Sequence, residues 1–245
     1  MARTPRENKV VRSVARTRRP AKVVVDRPAA RRRRASSDTP YHHGDLREAL
    51  LQAAERVLER DGLAGLTLRA VAREAGVSHA APTHHFGDLS GLLSELAAIG
   101  FRRFNKAMVA AGKTDTHPLM KSMARAKAYV AYAQACPGMY GLMFRTERLD
   151  MTRPSLHEAA TASFEGLANA VGAGRNEKLT GDALDALSLD QAAAIARAWS
   201  LVHGFTTLLL DGRLKDILHR LPEGTSVDQL LHAMLLSTVA RPPAL

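Results

Sequence analysis

The sequence predicts an all-α protein, with a small three-helix head at the N-terminal side and a larger helical region after it. Three observations carry this reading. Apolar residues recur at three- and four-residue intervals from Asp45 onward. Hydroxyl or acidic residues open these segments, and Gly or Pro closes them. Between Thr67 and Phe86 two such segments are joined by the tight turn Ala75-Gly76-Val77-Ser78, which reads as a helix-turn-helix. At 245 residues and 46% apolar composition, the chain can bury the core of one large or two modest domains.

Ahead of the first predicted helix lies a basic arm, residues 1–40. It holds 13 Lys and Arg against 3 Asp and Glu, whereas the rest of the chain holds 22 against 21, so nearly all of the +11 charge belongs to it. Its one run, Arg31, Arg32, Arg33 and Arg34, sits among Pro28, Ser36, Ser37 and Pro40 without apolar periodicity, and disorder is expected. Such an arm can follow phosphates or enter a minor groove, adding salt-sensitive affinity with little sequence information. A solvated tail and a transit peptide are the competing readings; the lack of a clean amphipathic helix counts against the second. The single cysteine, Cys136, excludes an intramolecular disulfide and a cysteine-based zinc site, which fits a reducing cytosol. No stretch is read as approaching the roughly 20 apolar residues that cross a membrane, so a soluble chain is expected.

The head is assigned to residues 41–88. Asp45 is expected to open its first helix, whose stripe Leu46, Ala49, Leu50, Ala53, Val57 and Leu58 ends at Gly62. Thr67 caps the second helix, with Leu68, Val71, Ala72 and Ala75 at helical spacing. Gly76 can take the positive φ that ends it, and Ser78 is a fresh N-cap for the third. Pro82 removes an N–H about one turn in, which should shorten or tighten that helix. A turn this short lets the third helix enter a major groove while the second lies across the phosphate backbone. The side chains best placed to reach base edges are His79, Ala80, Thr83 and His84: Ala80 against a thymine methyl, the histidines toward base acceptors. The five histidines from His42 to His85 offer no carboxylate partner and no i, i+4 pair within one helix, so no metal site is read there.

Thr67, the Ala75–Ser78 turn and the His85-Phe86 ending together resemble the operator-binding segment of tetracycline-repressor-type (TetR family) regulators. The likeness covers about 65 residues, Tyr41 to about Phe104. Two positions depart from the pattern: Thr83 stands at the usual tyrosine, and Leu89 at a usual lysine, so two phosphate contacts lack their customary side chains. The resemblance, with the amides that helix N-termini present, assigns Thr67, Ser78 and His85 to phosphates. It also implies that the following helix is a lever that moves the heads when a small molecule binds.

Residues 89–245 are assigned to a helical regulatory and dimerisation domain, with 89–110 as the linking helix. Asp88 caps that helix, and Leu92, Leu93, Leu96, Gly100 and Phe104 form its buried face. Pro118 starts the next helix, which runs to Cys136; Pro137-Gly138 breaks it before the apolar Met139–Phe144 segment. A helix from Pro154 to Val171, a loop over 173–186, a long helix capped by Asp190 and ending at Leu210, and a last helix capped by Ser226 and running through Val239 complete the chain.

Trp199, three residues, then His203-Gly204 resembles the WHG subgroup of the same family. His203 has two readings, a ligand-bonding group and a satisfied structural histidine. A pocket for a small, mostly apolar effector is placed among Met139, Met143, Phe144, Phe164, Trp199 and His203, with methionines that adapt in shape. The small residues Ala196, Ser200, Gly204 and Thr207 form a ridge on the same helix, read as a seam that, with Leu230 and Met234 of the last helix, makes a homodimer about a two-fold axis. Packing within the subunit is the alternative for that ridge. No phosphate loop, GxSxG elbow or metal triad is found, so no cofactor and no enzyme are expected. The reading is a bacterial, cytoplasmic, ligand-responsive repressor that binds double-stranded operator DNA; the alternative is an architectural DNA-binding protein acting mainly through its arm.

Overall fold

The structure is a computed structural model, and it describes residues 43–113 and 115–237. The arm with Arg31–Arg34, the segment through His42, and the C-terminal residues from 238, Val239 included, lie outside the described residues. Every regular element among the described residues is helical.

The head is built from α1 (His43–Gly65), α2 (Leu68–Ala75) and α3 (Ala80–Phe86), and α4 (Leu89–Ala111) leads away from it. The first helix starts ahead of Asp45 and its regular stretch ends at Gly62 as expected, where φ 67° and ψ −176° leave the helical region, and a further short turn follows to Gly65. The Thr67 side chain accepts from the Ala70 amide at 3.1 Å, and Gly76, at φ 69°, returns its own N–H to the carbonyls of Ala72 and Arg73. Asp88 likewise caps α4, accepting from the Gly91 amide at 2.7 Å.

Two expectations in the head need correction. Ser78 does not cap α3: the N-cap residue is His79, no side chain caps it, and the Ser78 carbonyl takes the Ala81 N–H at 3.1 Å. Pro82 is the third residue of α3, where a helix has no internal partner for an N–H. Its missing donor is therefore not felt, and the ring is buried.

The larger region holds α5 (Pro118–Ala135), α6 (Pro137–Met143), α7 (Pro154–Gly174), α8 (Leu189–Leu210), the unforeseen one-turn α9 (Lys215–Leu218) and α10 (Val227–Ser237). Short 3₁₀ turns occupy Thr146–Arg148 and Gly181–Leu184. Ser188, not Asp190, caps α8: its hydroxyl accepts from the Gln191 amide at 3.2 Å, while Gln191 Oε1 accepts from the Ser188 amide at 2.9 Å. Asp190 instead pairs with Arg175. Ser226 caps α10 in the same reciprocal way with Gln229. Contrary to expectation, α8 is long and apolar enough, by length and composition, to cross a membrane. Its alanines and leucines leave only Asp190 and Arg197 charged.

The main core is continuous from the head into the larger region, running through Leu50, Val57, Phe86, Leu92, Leu96, Tyr140, Leu142 and Leu156. Helix α6 comes so close to α1 that a Cβ on Gly138 would stand 3.2 Å from the Leu58 carbonyl oxygen. Smaller clusters form around Phe205 and Leu231, and around Ala168, Leu179 and Ile195.

Candidate nucleic-acid interface and sensor cluster

Helix α3 buries Pro82 and Phe86 and turns His79, Ala80, Thr83 and His84 outward, all exposed; Ser78 and Thr67 beside them are exposed too. His85 is half-buried, with its ring against those of His84 and Phe86. Phe86 anchors the helix: it is 1% exposed, and the Arg47 guanidinium of α1 lies 5.5 Å from its ring centroid. Leu89 packs against the core, consistent with its being unlike the lysine of the family pattern.

Charge on the head is partly consumed within it. Arg56 and Arg60 of α1 both reach the Glu74 carboxylate at 2.9 Å, and Arg60 also holds Asp61. These hydrogen bonds keep both carboxyls below their usual range, Glu74 through Arg56 first and Asp61 through Arg60, and push the Arg60 guanidinium further up. Arg69 and Arg73 of α2 are exposed and make no ion pair among the described residues. They stand on the helix that would lie across the phosphate backbone, and the sequence reading missed them. Their spacing of four, opposite buried Val71, was the available signal.

The second candidate site gathers around His203 of α8. The hydroxyls of Tyr129 in α5 and Tyr140 in α6 each lie 2.9 Å from its Nδ1, and 3.4 Å from one another. The nitrogen of a neutral imidazole accepts one O–H, so the second tyrosine can hand its hydrogen to the first. Burial lowers the His203 pKa and, as the first cause, raises those of Tyr129 and Tyr140. The cluster is therefore an uncharged donor and acceptor set at neutral pH.

Aromatic rings enclose it. Phe144 lies 4.7 Å from the His203 ring and 5.0 Å from Tyr140; Phe104 stands 5.0 Å from Tyr129 and 5.5 Å from Tyr132. The Tyr132 hydroxyl, pushed up to about 12 mainly by burial, donates to the Gly100 carbonyl at 3.0 Å. Met139 and Met143 pack their sulfurs against Gly100 from the same short helix as Tyr140. Of the residues expected around a pocket, Met139, Met143, Phe144 and His203 are thus brought together. Trp199 lies at the rim, 43% exposed, with its ring 6.4 Å from that of His203. Phe164 is 38% exposed on α7 and contributes no ring to the cluster. Sequence reasoning missed Tyr129, Tyr132 and Tyr140, although the chain has only four tyrosines.

On α8, Ala196, Ser200 and Thr207 are exposed, as are Leu208 and Leu210, while Gly204 is half-buried. Leu230 and Met234 lie half-buried against the small cluster around Phe205 and Leu231.

Comparison with known proteins bears on the family and the fold. Residues 50–96 match the family described as bacterial regulatory proteins, tetR family, and residues 122–235 match the one described as tetracyclin repressor-like, C-terminal domain. A protein of unknown function from Rhodococcus sp. RHA1 shares 35% identity at a TM-score of 0.65, over 82% of this chain and 96% of that one. The TetR family transcriptional regulator PfmR from Thermus thermophilus aligns at a TM-score of 0.53 and 18% identity, over 78% of this chain and 99% of its own. The fatty acid degradation regulator FadR from Bacillus halodurans does so at 0.56 and 14%, over 81% and 97%. At the last two identities the likeness is one of fold. No curated protein matches the sequence.

Proposed function

Because the chain belongs to the TetR family of transcription regulators, we propose that it binds a pseudo-palindromic operator as a homodimer and represses from it until a small effector releases it. The observation that carries this reading is the outward row of Ala80, Thr83 and His84 on α3 with His79 at its N-cap, held by a buried Phe86. Those four side chains read bases. Thr67, Ser78 and His85, joined by Arg69 and Arg73, hold phosphates, and the arm with Arg31–Arg34 adds non-specific affinity. Residues 41–88 are the reader and 89–245 the sensor and dimerisation domain, with α4 between them.

The effector has a mostly apolar body that displaces the rings around Phe144, and one group that bonds to His203 and the two tyrosines. Dimerisation uses the outward face of α8 with α10. A second copy suits that face better than lipid does, because Arg197 is exposed on the same helix, and a mid-helix arginine in hydrocarbon costs about 2.5–3.5 kcal/mol. The protein works in the bacterial cytoplasm, where its operator is.

Selection of duplexes from a random library by the full chain, at near-physiological salt, tests the proposal. An inverted repeat with half-sites about one helical turn apart is the expected result. Recovery of no motif, with binding that vanishes steeply as salt rises, would replace it with the architectural reading.

A further inference from the structure

We propose that Arg153 is a positioning residue for the reading helix, setting the seat of α3 from the sensor side of the molecule; this rests on the DNA-reading role given above to α3. Arg153 is the N-cap residue of α7. Its Nη2 donates to the carbonyl of Phe86, the last residue of α3, at 2.6 Å. That carbonyl is among those a helix leaves without an internal partner, and a guanidinium answers it from outside.

The side chain is held in that position from several elements. Asp150 Oδ2 stands 3.6 Å from its Nε, and Glu95 Oε1 of α4 stands 3.8 Å from its Nη1. The other Glu95 oxygen takes Arg47 of α1 at 2.7 Å, and Arg47 in turn lies over the Phe86 ring. Ser94 of α4 accepts from the Asp150 amide at 2.8 Å while donating to the Ser90 carbonyl at 2.7 Å, so the loop ahead of Arg153 is pinned to α4. Gly91 leaves the space for this: a Cβ there would overlap both the Phe86 carbonyl oxygen and the Arg153 guanidinium. The Nε of Arg153 is buried and makes no hydrogen bond among the described residues, its ion-pair partner there being Asp150.

The connection 145–152 ties this contact to the sensor cluster. At its start is Phe144, whose ring touches that of His203; just past its end is Arg153. A displacement of α6 by an effector therefore reaches the C-terminal end of α3 through this short connection as well as through α4. Arg153 is the joint where it arrives.

The test compares the full-length wild type with Arg153→Met, Arg153→Lys and Gly91→Ala. Three quantities are read: amide hydrogen exchange of residues 80–87 in free protein, affinity for the duplex recovered by selection against a scrambled duplex of equal length, and Tm. With Arg153→Met, exchange in α3 should quicken at least tenfold while that of α1 stays unchanged. Preference for the selected duplex should fall at least tenfold with the scrambled affinity and Tm held. Arg153→Lys should not restore either, since one ammonium cannot reach the Phe86 carbonyl and both carboxylates together. Gly91→Ala crowds the Phe86 carbonyl as well as the guanidinium and should also quicken exchange in α3, so it is Arg153→Lys that decides the matter if Arg153→Met does not fold. Wild-type exchange rates in α3 for both Arg153 variants would overturn the proposal, as would faster exchange throughout the head with a matching fall in Tm. If the wild type selects no motif, the operator reading fails, and the exchange measurement still judges the role of Arg153.

Discussion

Two hydroxyls converge on one nitrogen of His203 at 2.9 Å, and burial holds that ring in its neutral form. The pKa of the folded state is thus below the ordinary 6.5. Between the two values the unfolded chain binds more protons, so the stability linked to His203 is full above 6.5 and is lost as pH falls through that value toward the folded pKa. Wild-type Tm should therefore decline on acidification through 6.5, and His203→Gln should decline less steeply over the same window, whatever its starting level. Parallel curves would show that His203 is not held neutral. Lowered carboxyls such as Glu74 and Asp150 act further down, below their ordinary 4.5 and 3.8, and do not confuse the comparison. His203 itself was legible from its spacing to Trp199, because both lie on one helix. Its partners were not, since Tyr129 and Tyr140 come from α5 and α6, and no local pattern says that three helices will aim polar groups at one point. Thr67, Gly76 and Asp88 were legible for the opposite reason: a cap or a positive φ answers to its nearest neighbours alone.

Among the elements, α8 carries both His203 and the outward apolar face, so what fixes its start matters to both. Ser188 and Gln191 bond reciprocally there, while Asp190 has a largely exposed side chain paired with Arg175. Ser188→Ala should lower unfolding stability by about 1 kcal/mol, the usual cost of losing a hydroxyl cap, and Asp190→Ala should cost distinctly less. Calorimetry of the two variants decides; the reverse order would return the cap to Asp190. The sequence does contain the capping signature, a serine followed three residues later by glutamine, but Asp190, the second residue of the helix, is an equally ordinary helix-opening residue by type. A similar slip of register underlies Ser78 and Pro82: with α3 starting at Ala80, the serine falls outside the cap position and the proline falls where its missing donor is harmless. Helix α9, a single turn, has too few residues to show a period at all.

Across the described residues, the head and the larger helical region share one core, a joining that only long-range contacts such as Gly138 against Leu58 create and that helix periodicity does not disclose. Among the described residues, the face of α8 with Ala196, Ser200, Gly204 and Leu208 stays at least partly exposed. Most side chains there are small, and a Cβ on Gly204 would meet none of the described residues within 4 Å. They suit a second helix approaching closely about a two-fold axis. Gly204→Leu separates the two possibilities. Within one chain the leucine has room and improves helix propensity, so Tm measured on dilute protein should hold or rise. Between two copies it obstructs the seam, so light scattering should show monomer at concentrations where the wild type is dimeric. Affinity for a two-half-site operator should then fall at least tenfold, about 1.4 kcal/mol, while a single half-site is bound as before, because each head still folds but the second is no longer tethered to the first. A dimer undisturbed by leucine at 204 would move the two-fold contact off this face of α8 and leave its exposed leucines to another partner.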